Sequence, residues 1–326
     1  MLRSKRSSVL SLFALASILT FAATASAQTA QPRAVALADG VLVDAERLVA
    51  YVMNPRLGLD AVDLRSGTLL WSADKAAKPL AAVGDLLIAQ AATQAAGRLD
   101  VVSFDLRDGS PGALTARVEL PSDVTARLQD EPNRTFRLAA AIERDKLVLT
   151  WTATKAETDE LQGYMPAAEE DLAPKALRLL EGAASIDLAS GLVRPAAVAK
   201  AAGPRPLDVL NESLAGAKGR LFTSADGRHV LASARQDGGD PWQRYQWTIY
   251  ERATGARLGE LAHVNSTAPF LVADASLFFL SQPYSRRRGE DFVEVPMQIR
   301  AVDLASGVEL WTKDVSDPSF RGLFPP

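Results

Sequence analysis

Cysteine is absent from all 326 residues. That absence excludes disulfides, thiolate nucleophiles and cysteine-ligated metals. It also excludes a lipid-modified N-terminal cysteine, so any core must come from packing alone. Histidine is nearly absent: His229 and His263 stand in unrelated surroundings and read as ordinary edge or surface residues rather than a metal pair. No Gly-x-Ser-x-Gly and no His-Glu-x-x-His occurs, which removes two common hydrolase signatures. An excess of one charge is lacking too, with 36 basic against 39 acidic residues and a net charge of −3.

Long apolar runs are missing with one exception. Arg3, Lys5 and Arg6 precede an apolar stretch from Val9 to about Ala23, followed by Ala25-Ser26-Ala27. A basic start, a short apolar run and a small-x-small site describe a secretory leader, here residues 1–27. The run is short for a membrane span of about 20 residues, so cleavage after Ala27 is expected, with a periplasmic or secreted product free of lipid. Removing the three leader cations leaves 33 basic groups against 39 acidic ones. A balance of this kind argues against phosphate-backbone binding and against adsorption to anionic lipid.

What is present is a recurring pattern. Val41 to Asn54 holds two β-rich runs around Asp44-Ala45-Glu46-Arg47, a hairpin signature. Leu57 to Leu64 and Thr68 to Ser72 follow as third and fourth strands around the turn Ser66-Gly67. The meander repeats in Leu80 to Leu120 with Gly109 in the matching turn, 42 residues after Gly67, an ordinary spacing for four-stranded units of about 40 to 45 residues. A third unit starts at Phe136 and resumes at Ala183 to Leu188, and a fourth spans Arg220 to Ala262. A fifth runs from Pro269 to Asp314. An acidic insert at 155–181, with Tyr164 and Met165 at its centre and a short helix expected over Pro174 to Glu181, interrupts the third unit. Val198 to Gly219, rich in Ala, Gly and Pro, reads as a connector. The mature chain, 28–326, is read as one domain.

The first and last units are nearly identical where they turn: AVDLRSGTLLWSAD at 61–74 and AVDLASGVELWTKD at 301–314. Related turns contain Asp105 and Gly109, Asp187 and Gly191, and a degenerate form ending at Gly255. The AVDLxSGxxLW frame, with Asp63, Gly67 and Trp71 and again with Asp303, Gly307 and Trp311, resembles the repeat of the quinoprotein-like (PQQ-like) β-propeller superfamily. The resemblance implies an all-β propeller of four-stranded antiparallel blades, five of them recognisable. It also implies that the turn Gly precedes the outer strand and that the Trp docks between blades. The middle units lack the Trp, so other residues must pack there. Truncating Trp71 or Trp311 to Ala is expected to cost about 3 to 5 kcal/mol by the precedent of large core side chains.

Quinone-dependent dehydrogenases of that superfamily are longer and carry a vicinal disulfide, a calcium site and a catalytic Asp. This chain has no Cys and no Asp/Asn cluster at calcium-ligand spacing, so the resemblance implies the fold without the cofactor, and no cofactor, metal or catalytic residue is assigned. Glu169-Glu170-Asp171 reads as part of a solvated loop. The expected role is a non-catalytic interaction or scaffold protein of the cell envelope, with another envelope protein as partner. By that resemblance, the periplasmic propeller subunit of the outer-membrane β-barrel assembly machine looks like a functional analogue. The candidate partner-binding loops are Tyr164 and Met165 in the acidic insert and Arg286, Arg287 and Arg288 in a basic one. The alternative is a small-ligand or enzymatic propeller using its central channel.

Overall fold

A computed structural model describes residues 34–56, 58–92, 97–122, 124, 134–155, 180–198, 209–210, 214, 216–236, 245–264, 267–281, 283–288 and 291–316. The expected leader and residues 317–326 lie outside the described residues.

Alternating apolar and β-branched runs separated by Gly- and Asp-containing turns favour antiparallel meanders, and the described residues form five of them in sequence order. Sheet one comprises β1 (Val35–Ala38), β2 (Val41–Asp44), β3 (Val49–Met53), β4 (Leu59–Asp63) and β5 (Leu69–Ala73). Sheet two is β6 (Ala76–Val83), β7 (Leu86–Ala91), β8 (Arg98–Asp105) and β9 (Pro111–Glu119). In sheet three, β10 (Arg134–Glu143) and β11 (Lys146–Lys155) precede β12 (Leu180–Asp187) and β13 (Val193–Pro195). Sheet four is β14 (Arg220–Thr223), β15 (His229–Arg235), β16 (Tyr245–Glu251) and β17 (Arg257–Val264). In sheet five, β18 (Phe270–Ala273) and β19 (Ser276–Ser281) are separated in sequence from β22 (Gln298–Asp303) and β23 (Glu309–Asp314) by a two-stranded hairpin, β20 (Tyr284–Arg288) and β21 (Asp291–Val295).

Three expectations change. Sheet one has a fifth strand, β1, the short run VALA ahead of the expected hairpin. The basic loop of the fifth unit is a hairpin, with Arg286 opposite Val293 and Arg288 opposite Asp291. Leu180 and Glu181, the end of the expected helix, belong to β12, where Leu180 pairs with Ala153.

The core sits between sheets. All five residues of β3, VAYVM, are buried, as a strand covered on both faces requires. One apolar cluster joins sheets one and two through Tyr51, Trp71, Leu87 and Phe104. Another joins two and three through Leu80, Leu99, Leu138 and Trp151. Sheets four and five share Trp247, Phe270 and Phe279. Sheets five and one share Val52, Leu64, Phe278 and Ile299, so the last sheet returns to the first. The apolar face of sheet four at Leu221, Val230 and Tyr250 is covered by Leu210, Leu214 and Ala217 of the connector. Sheets one, two and three pack in sequence order, sheet four packs on the connector and on sheet five, and sheet five returns to sheet one, the arrangement of a β-propeller.

Candidate functional site

The repeat residues recognised in the sequence build turns and blade junctions. Asp63 Oδ1 accepts hydrogen bonds from the Arg65 and Ser66 amides at 3.0 and 2.8 Å and from the Ser66 hydroxyl at 2.8 Å. The Gly67 amide donates back to the Asp63 carbonyl at 2.8 Å, which needs the left-handed backbone that Gly67 adopts at φ 70°. Asp187 with Ser190 and Asp303 with Ser306 repeat this geometry. Asp105 accepts from the Arg107 amide, and the degenerate fourth turn uses Glu251, which accepts from the Thr254 hydroxyl at 2.6 Å. The hydroxyl and amide bonds from Ser190 and Ser306 hold the Asp187 and Asp303 carboxyls below their ordinary value. Burial pushes Asp63 up, but its bonds to Ser66 and Arg65 outweigh that and leave it low as well.

The turn Gly residues also receive the preceding blade, except Gly255, which receives the connector. The Trp71 indole lies on Gly109, where an added Cβ would stand 2.5 Å from Cε3, and its N–H donates to the Leu106 carbonyl at 3.3 Å. Trp311 lies on Gly67 in the same way, and its N–H donates to the Leu64 carbonyl at 2.9 Å. At Gly191 the Thr115 carbonyl and the Leu114 side chain of β9 take the place of the Trp. The fourth blade carries Gly259 at the Trp position, four residues past Gly255, and its backbone comes so close that a Cβ would stand 1.9 Å from the Leu304 carbonyl oxygen. At Gly255 the neighbour is Leu214 of the connector, 3.7 Å from where a Cβ would be. Gly259 was visible in the sequence by counting from the turn Gly; Leu214 left no signal in its Ala/Gly-rich surroundings.

A cleft of about 540 Å3 opens where sheet five meets sheet one. Asn54, Arg56, Asp60 and Ser72 of sheet one and Thr312 and Lys313 of β23 line it, with Leu69 and Asp314 at its rim. Asp60, almost fully buried at 5% exposure, is a wall component rather than a free acid. Its Oδ1 accepts from Asn54 Nδ2 at 2.8 Å and Ser72 Oγ at 2.7 Å, and its Oδ2 faces Lys313 Nζ at 3.2 Å. Asn54 Oδ1 in turn accepts the Arg56 and Gly58 amides. None of these residues was singled out in the sequence, because they converge from strands far apart in the chain.

A second polar group lies among the first strands. Lys78 on β6, only 3% exposed, donates to the Leu138 carbonyl of sheet three at 2.9 Å and pairs with Asp39 of sheet one. One buried ammonium thus ties three blades together. Gln90, its cross-strand neighbour, is fully buried with no hydrogen-bond partner for its amide among the described residues.

The candidate partner-binding residues divide. Tyr164 and Met165 lie outside the described residues. Arg286, Arg287 and Arg288 lie on β20. The acidic insert leaves between β11 and β12 and the hairpin between β19 and β22, in each case between second and third strands, so both depart at corresponding ends of their blades. Of the two histidines, the backbone of His263 lies in β17, and His229 Nδ1 on β15 stands 3.9 Å from Asp226 Oδ1.

Exposed apolar side chains gather on the outer strands: Leu69 and Leu70 entering β5, Val308 and Leu310 at β23, and Leu258 in β17. Sheets five and one are neighbours, and Leu69 lines the cleft between them.

No protein-family profile matches the chain, and no curated protein matches it. Among solved structures it is similar to BamB from Moraxella catarrhalis, at 12% identity and a TM-score of 0.25 over 86% of this chain and 64% of that one. It is similar to a europium-containing methanol dehydrogenase at 13% identity and a TM-score of 0.22, covering 83% and 68% of the two chains. A third likeness is the AtxE2 isopeptidase with astexin3-dC4 bound, at 12% identity and a TM-score of 0.37, covering 86% of this chain and 49% of that one. The chain spans less than two thirds of BamB and about half of the isopeptidase. At these TM-scores the likenesses carry no argument, and the fold rests on the chain's own sheets: an all-β propeller of antiparallel blades.

Proposed function

We propose that the chain is an exported, non-catalytic propeller of the PQQ-like type that serves as a protein-docking scaffold in the cell envelope. The repeat frame at 61–74 and 301–314 supports the superfamily reading, and the basic-apolar-small start supports export. The observation that carries the docking role is the apolar rim at Leu69, Leu70, Val308 and Leu310, each about half exposed on adjoining blades. Apolar groups gathered on a surface and rimmed by polar residues mark interaction sites. The repeat residues themselves are committed to turns and junctions, so recognition falls to this rim and to the inserts between second and third strands.

The test is to produce the chain with its leader in a Gram-negative host, sequence the mature N-terminus, and combine native mass spectrometry with cross-linking in intact envelopes. The proposal expects a start at Gln28, no co-purifying small molecule, and cross-links from the rim or the β20–β21 hairpin to one envelope protein. A cytoplasmic product, or a stoichiometric small ligand with no protein cross-link, would contradict it.

A further inference from the structure

Among the outer strands described, β5, five residues long with a register shift against β4 between Ala61 and Val62, is the one that carries neither a charged residue nor a proline. Natural sheets protect exposed edges with charge, proline, bulges or short strands. Here β9 begins with Pro111 and carries Arg117 and Glu119, β13 has three residues including Arg194 and Pro195, β17 carries Arg257 and Glu260, and β23 carries Glu309, Lys313 and Asp314. The sequence of β5 is LLWSA, with Leu69, Leu70 and Ser72 exposed. Its backbone pairs with β4 alone among the described strands.

The cleft beside this edge has a definite polarity. Asp60 has both oxygens engaged and Asn54 is taken up within the wall. Asp314 Oδ1 already accepts from Gln298 at 2.7 Å. Lys313 contacts Asp60 and keeps two further donors. The Arg56 guanidinium contributes five donors, none of them engaged among the described residues. The spare capacity of the cleft is therefore cationic and donor-rich, and what complements it is a carboxylate.

We propose that β5 is a strand-addition site, and that its occupant is an extended segment of another protein that pairs with the β5 backbone, covers Leu69 and Leu70 with an apolar side chain, and directs a Glu or Asp into the cleft toward Arg56 and Lys313. This rests on the scaffold reading and gives it an address. Main-chain bonds supply affinity in such additions, and side chains at alternate positions supply specificity.

The experiment uses the full mature chain and three short, end-blocked, fluorescent peptides of alternating Val and Thr whose central residue is Glu, Gln or Lys. Fluorescence anisotropy gives affinity, and circular dichroism with melting confirms that each variant is folded. The Glu peptide is expected to bind about tenfold more tightly than the Gln peptide, one charge-assisted contact, and the Lys peptide more weakly still. Leu70→Lys, at an exposed position, is expected to weaken all three about tenfold or more, as an edge-blocking lysine should, while Leu258→Lys on β17 leaves them unchanged. Arg56→Gln is expected to erase the difference between Glu and Gln peptides without changing the affinity of the Gln peptide. Equal binding of Glu and Lys peptides, wild-type binding by Leu70→Lys, or no binding of any peptide would overturn the proposal. A wild-type dimer that Leu70→Lys converts to monomer would assign the edge to a second copy instead. Binding gained only when residues 317–326 are removed would assign it to the chain's own C-terminus. Envelope cross-links that persist in Leu70→Lys would leave the scaffold reading standing while this site falls; loss of export or of every protein partner would strike the scaffold reading itself.

Discussion

The junction between sheets five and one and the junction between sheets four and five solve the same packing problem in opposite ways. At the first, Trp311 fills the space over Gly67 and returns its N–H to the Leu64 carbonyl. At the second, the same repeat position is Gly259, and backbone replaces side chain against Leu304. A large aromatic acts as a spacer with a polar handle; without it the two blades close until main chains touch. The turn Gly is thus the fixed part of the repeat, and what packs on it is adjusted: Trp71, Leu114, the Glu260 carbonyl or Trp311 from the preceding blade, and Leu214 from the connector.

Breaking this contrast should give graded effects. The largest belongs to Trp71→Ala: Trp71 is 9% exposed within the cluster joining sheets one and two, so truncation should cost about 3 to 5 kcal/mol, read from chemical denaturation. Trp311 is only partly buried, and Trp311→Ala should cost less, about 2 kcal/mol, because less apolar area returns to water. The two Trp residues, equivalent in sequence, are therefore unequal in the structure, and equal losses in stability would contradict that.

Gly259→Ala should cost about 2 to 3 kcal/mol despite adding one methyl, since the clash is with backbone that no rotamer change relieves. The same change at Gly84, where nothing lies within 4 Å of an added Cβ, should cost only the strain of a positive φ, about 1 kcal/mol. Leu214→Ala should cost about 1 kcal/mol, for a connector side chain that is only partly buried.

The smallest effect is pH-dependent. Asp63, Asp187 and Asp303 have carboxyls held below the unfolded value of 3.8. A carboxylate lowered by folding adds stability that is fully present above the unfolded value and is lost as pH falls through the lower folded one. The melting temperature should therefore decline below about pH 4, and the triple change to Asn should flatten that acid limb. An unchanged slope in the triple variant would mean that these turns do not contribute to it.

Much of the fold was legible because the repeat exposes its own period. The turn frame at Asp63 and Asp303 located the third and outer strands of the first and last blades, and the expected strand Thr68 to Ser72 lies one residue from β5. Short apolar segments without a turn motif were not legible: β1 is four residues, and β20 reads as a charged loop because Arg286, Arg287 and Arg288 mask its pairing. The cleft was invisible for another reason. Asn54, Asp60, Ser72 and Lys313 are ordinary polar residues in separate strands, and only the return of the last blade to the first brings Lys313 to Asp60. The lack of charge and proline in β5 was present in the letters LLWSA, but its meaning required knowing which strand ends each sheet.

The central claim is that each junction is held locally by what sits on its turn Gly. Native-state hydrogen exchange followed by mass spectrometry, comparing wild type with Trp311→Ala and Leu214→Ala, tests it most directly. The account predicts that Trp311→Ala loses protection in the 61–68 turn of sheet one and leaves the 251–256 turn of sheet four unchanged, with the reverse pattern for Leu214→Ala. Identical loss across all five blades in both variants would contradict it.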